Sequence, residues 1–307
     1  RMSSALVIKP APINDTMLIS TNVAEADYTA WNAATSYTVG DRVIRTTTAT
    51  HKVYENLIAG THATPPEDAL TGATPRWLEV QPTNRWACFD NSITTATVQA
   101  SSVSYRVTPG QVVNGITLQN VDADSVRIRM VDPVAGTVYD KTTTLGRVPV
   151  SGWHPWYFSR RPVSDAVVHV DLPNYYGADI LIDVTKATGN VSIGMVLIGY
   201  PYTIGIGVQY GAKVGITDYS VKQTDDFGNT YLRERSFAKR ASFEIVIPNE
   251  ELDATYTLLA SLRATPCLWV GSDHFACTQV FGWAGDFDVV IPYFSYSTCS
   301  LELKGLT

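Results

Sequence analysis

Apolar residues recur along this chain in short runs of five to eight, some alternating with polar positions and some continuous, with turn residues closing each run every eight to twelve positions. That rhythm predicts strands of a sandwich rather than helices. VSYRV (103–107), SVRIRMVD (125–132), GTVYD (136–140), AVVHVDL (166–172), ADILIDV (178–184), NVSIGMVLIG (190–199), SFEIVIP (242–248) and DFDVVIPYF (286–294) are the clearest runs. One segment differs. In EELDATYTLLASLRA (250–264), Leu252, Tyr256, Leu259 and Leu262 fall at spacings of three and four, predicting a helix with Asn249 as its N-cap.

Turn-rich stretches suggest the domain boundaries. HATPPEDALTGATPR (62–76) reads as an exposed loop inside a first small domain, PTNRWACFDNS follows a second break, and glycines crowd the strand GYPYTIGIGVQYG (199–211). The expected organisation is an N-terminal segment 1–27, a module 28–82, a sandwich 83–200 and a C-terminal domain 201–307. Within the last, DDFGN offers Asp225, Asp226, Gly228 and Asn229 for a hairpin turn. The adjacent acids read as a charged turn, because no further acid follows at a calcium-loop spacing.

Composition narrows the function. Hydrophobic residues make up 45% and charged residues 17% of 307 residues, which predicts folded domains with much of the polar surface supplied by Thr, Ser, Asn and Gly. The net charge of −6 forms no basic stripe, so no nucleic-acid partner is expected. The apolar run 191–198 is broken by Gly194, Gly199 and Pro201, well short of the ~20 residues of a membrane span. A soluble chain without membrane insertion is expected, and the opening RMSSALVIKPAPIND carries no basic and apolar export leader. Cys88, Cys267, Cys277 and Cys299 include no CxxC pair and read as free thiols. Cys267, His274 and Cys277 could supply three metal ligands, one fewer than a structural zinc site uses, and no metal or cofactor is expected.

The most informative stretch is YTAWNAATSYTVGDRVI, then HKVYENLIAG, then TPRWLEV. A domain of about fifty residues depends on a few aromatics for its core, and Trp31, Tyr37, Tyr54 and Trp77 are placed to supply them. The order of AW, a spaced Tyr, GD-V, VYE and a closing Trp resembles the chitin-type carbohydrate-binding module. That resemblance implies a small three-stranded β-fold with aromatic rings stacked on sugar faces. The favoured reading of Trp31, Tyr37 and Trp77 is that they hold the small domain together, ahead of direct sugar contact. Where chitin-binding members carry exposed Trp or Tyr after VYE, this chain has Asn56, Leu57, Ile58 and Ala59.

NRWACFD, DLPNYYGADILIDV and NVSIGMVLIGYPYTIG resemble tail-associated proteins of tailed bacteriophages, as does the close from TLLASLRATPCLWVGSD to SLELKGLT. The resemblance implies a jelly-roll sandwich of galactose-binding-like type, and a mainly β chain that ends in a β-rich α+β docking domain. Trp153, Trp156, Tyr157, Phe158, Arg160 and Arg161 crowd one loop, a composition that suits a subunit interface better than a sugar pocket; Tyr175 and Tyr176 in PNYYG pose the same choice at a turn.

No GxSxG elbow, HExxH, P-loop or Rossmann glycine set occurs, and the five histidines lie in no catalytic pattern. Asp171, Asp179 and Asp183 are the remaining acids of interest for glycoside cleavage. The expected function is a non-enzymatic structural component of a phage tail tip, baseplate or fibre attachment region. Its expected partners are other tail proteins, further copies of itself and a host-surface polysaccharide, and its expected location is the virion, after synthesis in the host bacterial cytoplasm. A secreted or virion lectin and a polysaccharide depolymerase are the alternatives.

Overall fold

The structure, a computed structural model, describes residues 5–47, 50–145, 153, 165–225, 227–272 and 275–306. It is mainly β with antiparallel sheets, and the chain divides into two compact units, one of residues 12–197 and one of 1–11 with 198–307. The two segments read as separate strands, 178–184 and 190–199, are one strand, Asp179–Ile204, which contributes residues to both units. The expected N-terminal segment is shared between them. Residues 5–10 belong to the C-terminal unit, and 12–27 to the unit that also holds the expected module and sandwich.

In the 12–197 unit, Arg42–Arg45, Lys52–Asn56 and Trp77–Pro82 form a three-stranded antiparallel sheet, with Ser36–Tyr37 pairing Gly60–Thr61 beside it. Its apolar positions converge on one cluster of Tyr37, Val43, Tyr54 and Trp77, against which Trp31, Ala69 and Leu70 pack. So few residues make a core only because three of the four are large aromatics.

The larger sheet of this unit runs in the order Leu18–Thr21, Thr97–Val107, Asp179–Ile204, Ser125–Asp132, Gly136–Thr144. Gly115–Asp122 pairs both Val167–His169 and the long strand. Val103, Tyr105 and Val107, Val126, Ile128 and Met130, and Ile180, Ile182 and Val184 are all buried, each set at a spacing of two. That alternation is the sequence rhythm read above, turned toward a core. The register shifts between Thr185 and Asn190, so residues 186–189 bulge from the long strand opposite Ser101.

The C-terminal unit is built on one large antiparallel sheet, with a separate two-stranded hairpin beside it. The order of the large sheet is the end of the long strand, Ala5–Pro10, Cys267–Val270, Gln279–Val290, Tyr296–Gly305 and Phe237–Pro248, which then pairs Gly207–Val208 and Lys213–Asp218. The long strand and Gly207–Val208, at opposite ends of that order, are joined by Gly205 and Ile206 alone, so the sheet curls round on itself. Ile206 donates its amide to the Val246 carbonyl at 2.8 Å. Gly205 makes the corner possible: its φ is +58°, and a Cβ there would sit 2.2 Å from the Val246 oxygen. Gly199 is similarly confined, with a Cβ position 2.1 Å from the Lys9 oxygen.

Inside the curl, Phe243, Ile245, Trp269, Val280, Cys299 and Leu301 pack with Leu259 and Leu262. The helix is Leu252–Ser261, preceded by a 3-10 turn over Asn249–Glu251. Asn249 is not its cap. It donates Nδ2 to the carbonyls of Tyr293 and Phe294 and accepts the Ser297 hydroxyl on Oδ1, fastening a loop that is distant in sequence. Tyr256 is exposed instead of joining the buried face, its ring edge against Phe287 at 5.6 Å. Among the described residues no helix is long and apolar enough to cross a membrane.

Candidate functional site

The aromatics of the small domain lie mostly inside. Trp77 is fully buried, Tyr54 and Tyr37 nearly so, and burial pushes the Tyr54 phenol up to about 12. The Tyr37 ring meets Trp77 edge-on at 5.3 Å, and its hydroxyl accepts the Asn32 amide and donates to the Asn32 carbonyl. These three rings lie in the core of the small domain and offer no open face to a ligand. Trp31 is half-buried under the Arg45 guanidinium, 5.0 Å from its ring centroid, and Glu67 fixes that guanidinium through both carboxylate oxygens.

Of the aromatic loop, Trp153 is largely exposed, while Trp156, Tyr157, Phe158, Arg160 and Arg161 lie outside the described residues. Tyr176 is exposed at its turn and Tyr175 half-buried. Of the three metal-ligand candidates, Cys267 is buried in the C-terminal core, Cys277 is exposed, and His274 lies outside the described residues. Among the described residues no group of three His, Cys, Asp or Glu is placed to hold a metal.

The acids considered for glycoside cleavage are each held by a basic partner. Arg106 and the Thr108 hydroxyl bind Asp179, Arg129 binds Asp183 at 2.7 Å, and Lys141 binds Asp171 at 3.2 Å. Asp179 and Asp183 stand four residues apart on one extended strand, roughly 13 Å at the usual rise. A retaining or inverting pair needs about 5–9.5 Å.

Asp171 belongs to a small polar group with Tyr139, Lys141, Thr143 and His169. Burial raises the Asp171 carboxyl, but hydrogen bonds from the Tyr139 hydroxyl and Lys141 outweigh it and hold the group below its ordinary value. Burial, then the Lys141 charge, lowers the buried His169 imidazole, and the Asp171 oxygen 3.9 Å from Nδ1 offsets this only in part. The folded protein thus favours neutral His169, whereas the unfolded chain binds its proton near the ordinary value of about 6.5. Stability from this group is complete above that value and falls as pH drops below it. Urea midpoints should therefore decline between pH 7.5 and 5, and His169→Gln should flatten that part of the slope.

One cleft in the 12–197 unit gathers residues far apart in sequence. It has a volume of about 500 Å³, with Ile13, Pro82, Trp86 and Phe89 as apolar wall and Asn14, Asp15, His51 and Asp90 among its polar residues. His51 clasps it together: Nδ1 lies 2.7 Å from a Glu25 oxygen and Nε2 2.5 Å from an Asp15 oxygen. Glu25 is itself buried and also takes the Thr83 hydroxyl at 2.7 Å and Arg85 at 3.4 Å. The His51 ring lies 30° from parallel with Trp86 at 4.7 Å, and Trp86 leads on to Phe89 and Tyr105. His51 has a φ of +40°, a conformation costing about 1–3 kcal/mol that persists only where its surroundings dictate it. Burial raises the Asp90 carboxyl even though it accepts the Thr95 hydroxyl and the Ser92 amide.

The C-terminal unit presents a different feature. Lys213–Asp218 runs along the start of Phe237–Pro248, and beyond it Val221–Thr224 and Thr230–Arg233 form a two-stranded sheet of their own. Asp225 builds the connecting turn, accepting the Asn229 side-chain amide and the backbone amides of Asn229 and Phe227, which in that order hold its carboxyl below the ordinary value; Asp226 lies outside the described residues. This arm exposes large apolar side chains that include Phe227 at 92%, Leu232 at 74% and Tyr231 at 64%. At its base a groove of about 540 Å³ is lined by Lys213, Tyr219, Arg240, Trp283, Glu302 and Lys304.

Part of the chain is similar to a solved structure, a selenomethionine-labelled mutant of chitosan-binding module 1 from a chitosanase/glucanase of Paenibacillus sp. IK-5. Identity is 15%, the match covers 37% of this chain and 82% of that one, and the TM-score is 0.25. No protein-family model and no curated protein matches the chain.

Proposed function

We propose that this chain is a non-catalytic structural protein that works in multiple copies, joined through the hairpin arm of its C-terminal unit. The arm carries the proposal. A lone two-stranded hairpin is marginal in water, and exposed aromatics of this size serve as interface anchors. Its free strand edges can also pair with another chain.

The occupant that fits best is a second copy. Residues 213–240 carry six basic and four acidic side chains, a surplus of two positive charges in a chain of net −6, so the remainder carries −8. Like copies therefore attract when the arm of one meets the body of the next. A head-to-tail contact of this kind builds a ring or an open array rather than a closed pair.

The sequence segments that resemble tail-associated phage proteins give the setting: a tail tip, baseplate or fibre attachment region of a virion, assembled in the bacterial cytoplasm with other tail proteins. Surface-glycan adhesion is the accompanying role, with avidity from many copies. Sedimentation velocity of the full chain between 1 and about 100 μM tests the assembly, with concentration-dependent species larger than the protomer expected. A protomer throughout that range would overturn it.

A further inference from the structure

We infer that the cleft closed by His51 is a carbohydrate site that takes a pyranose unit of a surface glycan. It deepens the adhesion role proposed above but lies wholly within the 12–197 unit and does not depend on the arm. The cleft has the size of a small-molecule site and the makeup of one, an apolar wall with a few convergent polar groups. Trp86 and Phe89 are half-buried, so part of each ring borders the space. An aromatic surface suits the C–H face of a sugar ring, which is flat, apolar and rimmed by hydroxyls.

The polar groups favour a hydroxyl-bearing ligand over a charged one. His51 has both ring nitrogens engaged by Glu25 and Asp15, and Lys52 is paired with Glu79 at 2.5 Å, so the basic side chains lining the cleft already have partners. An anion therefore finds little to bind. Among the described residues Asp90 accepts the Thr95 hydroxyl and the Ser92 amide, two of the roughly four hydrogen bonds a carboxylate can take, which leaves capacity for sugar hydroxyls. Asn14 uses Oδ1 within its own turn, where the Thr16 amide and hydroxyl bind it, which leaves the Nδ2 donors for a sugar oxygen. The clasp fixes Asp15 and Trp86 in place, and preorganisation of that kind lowers the cost of binding.

The test is isothermal titration of the full chain with soluble N-acetylglucosamine hexamer, cellohexaose and maltohexaose, with sulfated heparin fragments and a tryptophan-rich peptide beside them. At least one neutral hexasaccharide should bind saturably. Trp86→Ala, which removes the wall, and Thr16→Trp, which fills the cleft from an exposed position, should each weaken it tenfold or more. Thr16→Trp keeps the test decisive if Trp86→Ala fails to fold. Saturable binding of the heparin or the peptide alone, no binding by any hexasaccharide, or binding unchanged in Thr16→Trp would overturn the site. Sedimentation of the same samples reports on the arm separately, because neither substitution touches it.

Discussion

The triple substitution Phe227→Ser, Tyr231→Thr and Leu232→Lys should convert assemblies of this chain into protomers while leaving each protomer folded. All three side chains are exposed on the arm and absent from the core cluster of the C-terminal unit. Surface changes of that kind alter folding stability by only about 0.5 kcal/mol either way. Aromatic anchors at an interface are worth about 2 kcal/mol or more each on truncation. Losing two, with a charge placed at a third position, should weaken association at least a hundredfold, about 2.8 kcal/mol. Sedimentation velocity shows the shift, and an unchanged thermal midpoint shows that folding is intact. Assembly at wild-type concentrations in this variant would place the interface elsewhere and remove the observation on which the structural role rests.

The same arm shows how much of this molecule could be read from its residues alone. Its turn was legible because Asp225, Gly228 and Asn229 act locally, and Asp225 does form the hydrogen bonds that such a turn calls for. Strands with strict alternation, such as Ser125–Asp132, were legible for the same reason: burial of every second residue is written in the pattern itself. The long strand Asp179–Ile204 was not, since its Thr- and Gly-containing centre around residues 185–190 looks like a turn and is a bulge held by neighbouring strands. Ala5–Pro10 was legible only as part of an N-terminal segment, because its strand partners, 199–204 and 268–270, are about two hundred residues away or more.

The cleft was harder still. Asp15, Glu25, His51, Trp86 and Asp90 follow no spacing that a motif would mark, and they meet only because the small sheet and the edge strand Leu18–Thr21 fold into one unit. The faint signal was His51 directly after the threonine-rich stretch 46–50, together with the phrase NRWACFD, which places Trp86 and Phe89 on one short turn. Asn249 failed as a cap for a related reason. A side chain that suits a local role was taken by a stronger long-range one, the carbonyls of Tyr293 and Phe294.

Trp77 decides between the two readings of the module's aromatics, and Trp77→Ala should lower stability by about 3–5 kcal/mol, the usual loss when a large buried aromatic is deleted. Its indole is fully buried in a cluster of only four core residues, with Tyr37 edge-on at 5.3 Å and His62 edge-on at 5.7 Å. So small a core has nothing to collapse into the space, which puts the loss toward the upper end of that range. Trp77→Phe keeps part of the apolar volume and should cost distinctly less. Urea unfolding followed by far-UV circular dichroism gives the size of the effect, and amide exchange along Lys52–Asn56 locates it, since that strand pairs with Trp77–Pro82. A ring that served mainly to stack on sugar would behave in the opposite way: Trp77→Ala would leave the midpoint and the exchange rates in place and abolish hexasaccharide binding. That result would return the indole to the glycan surface and require another explanation for what holds the small sheet together.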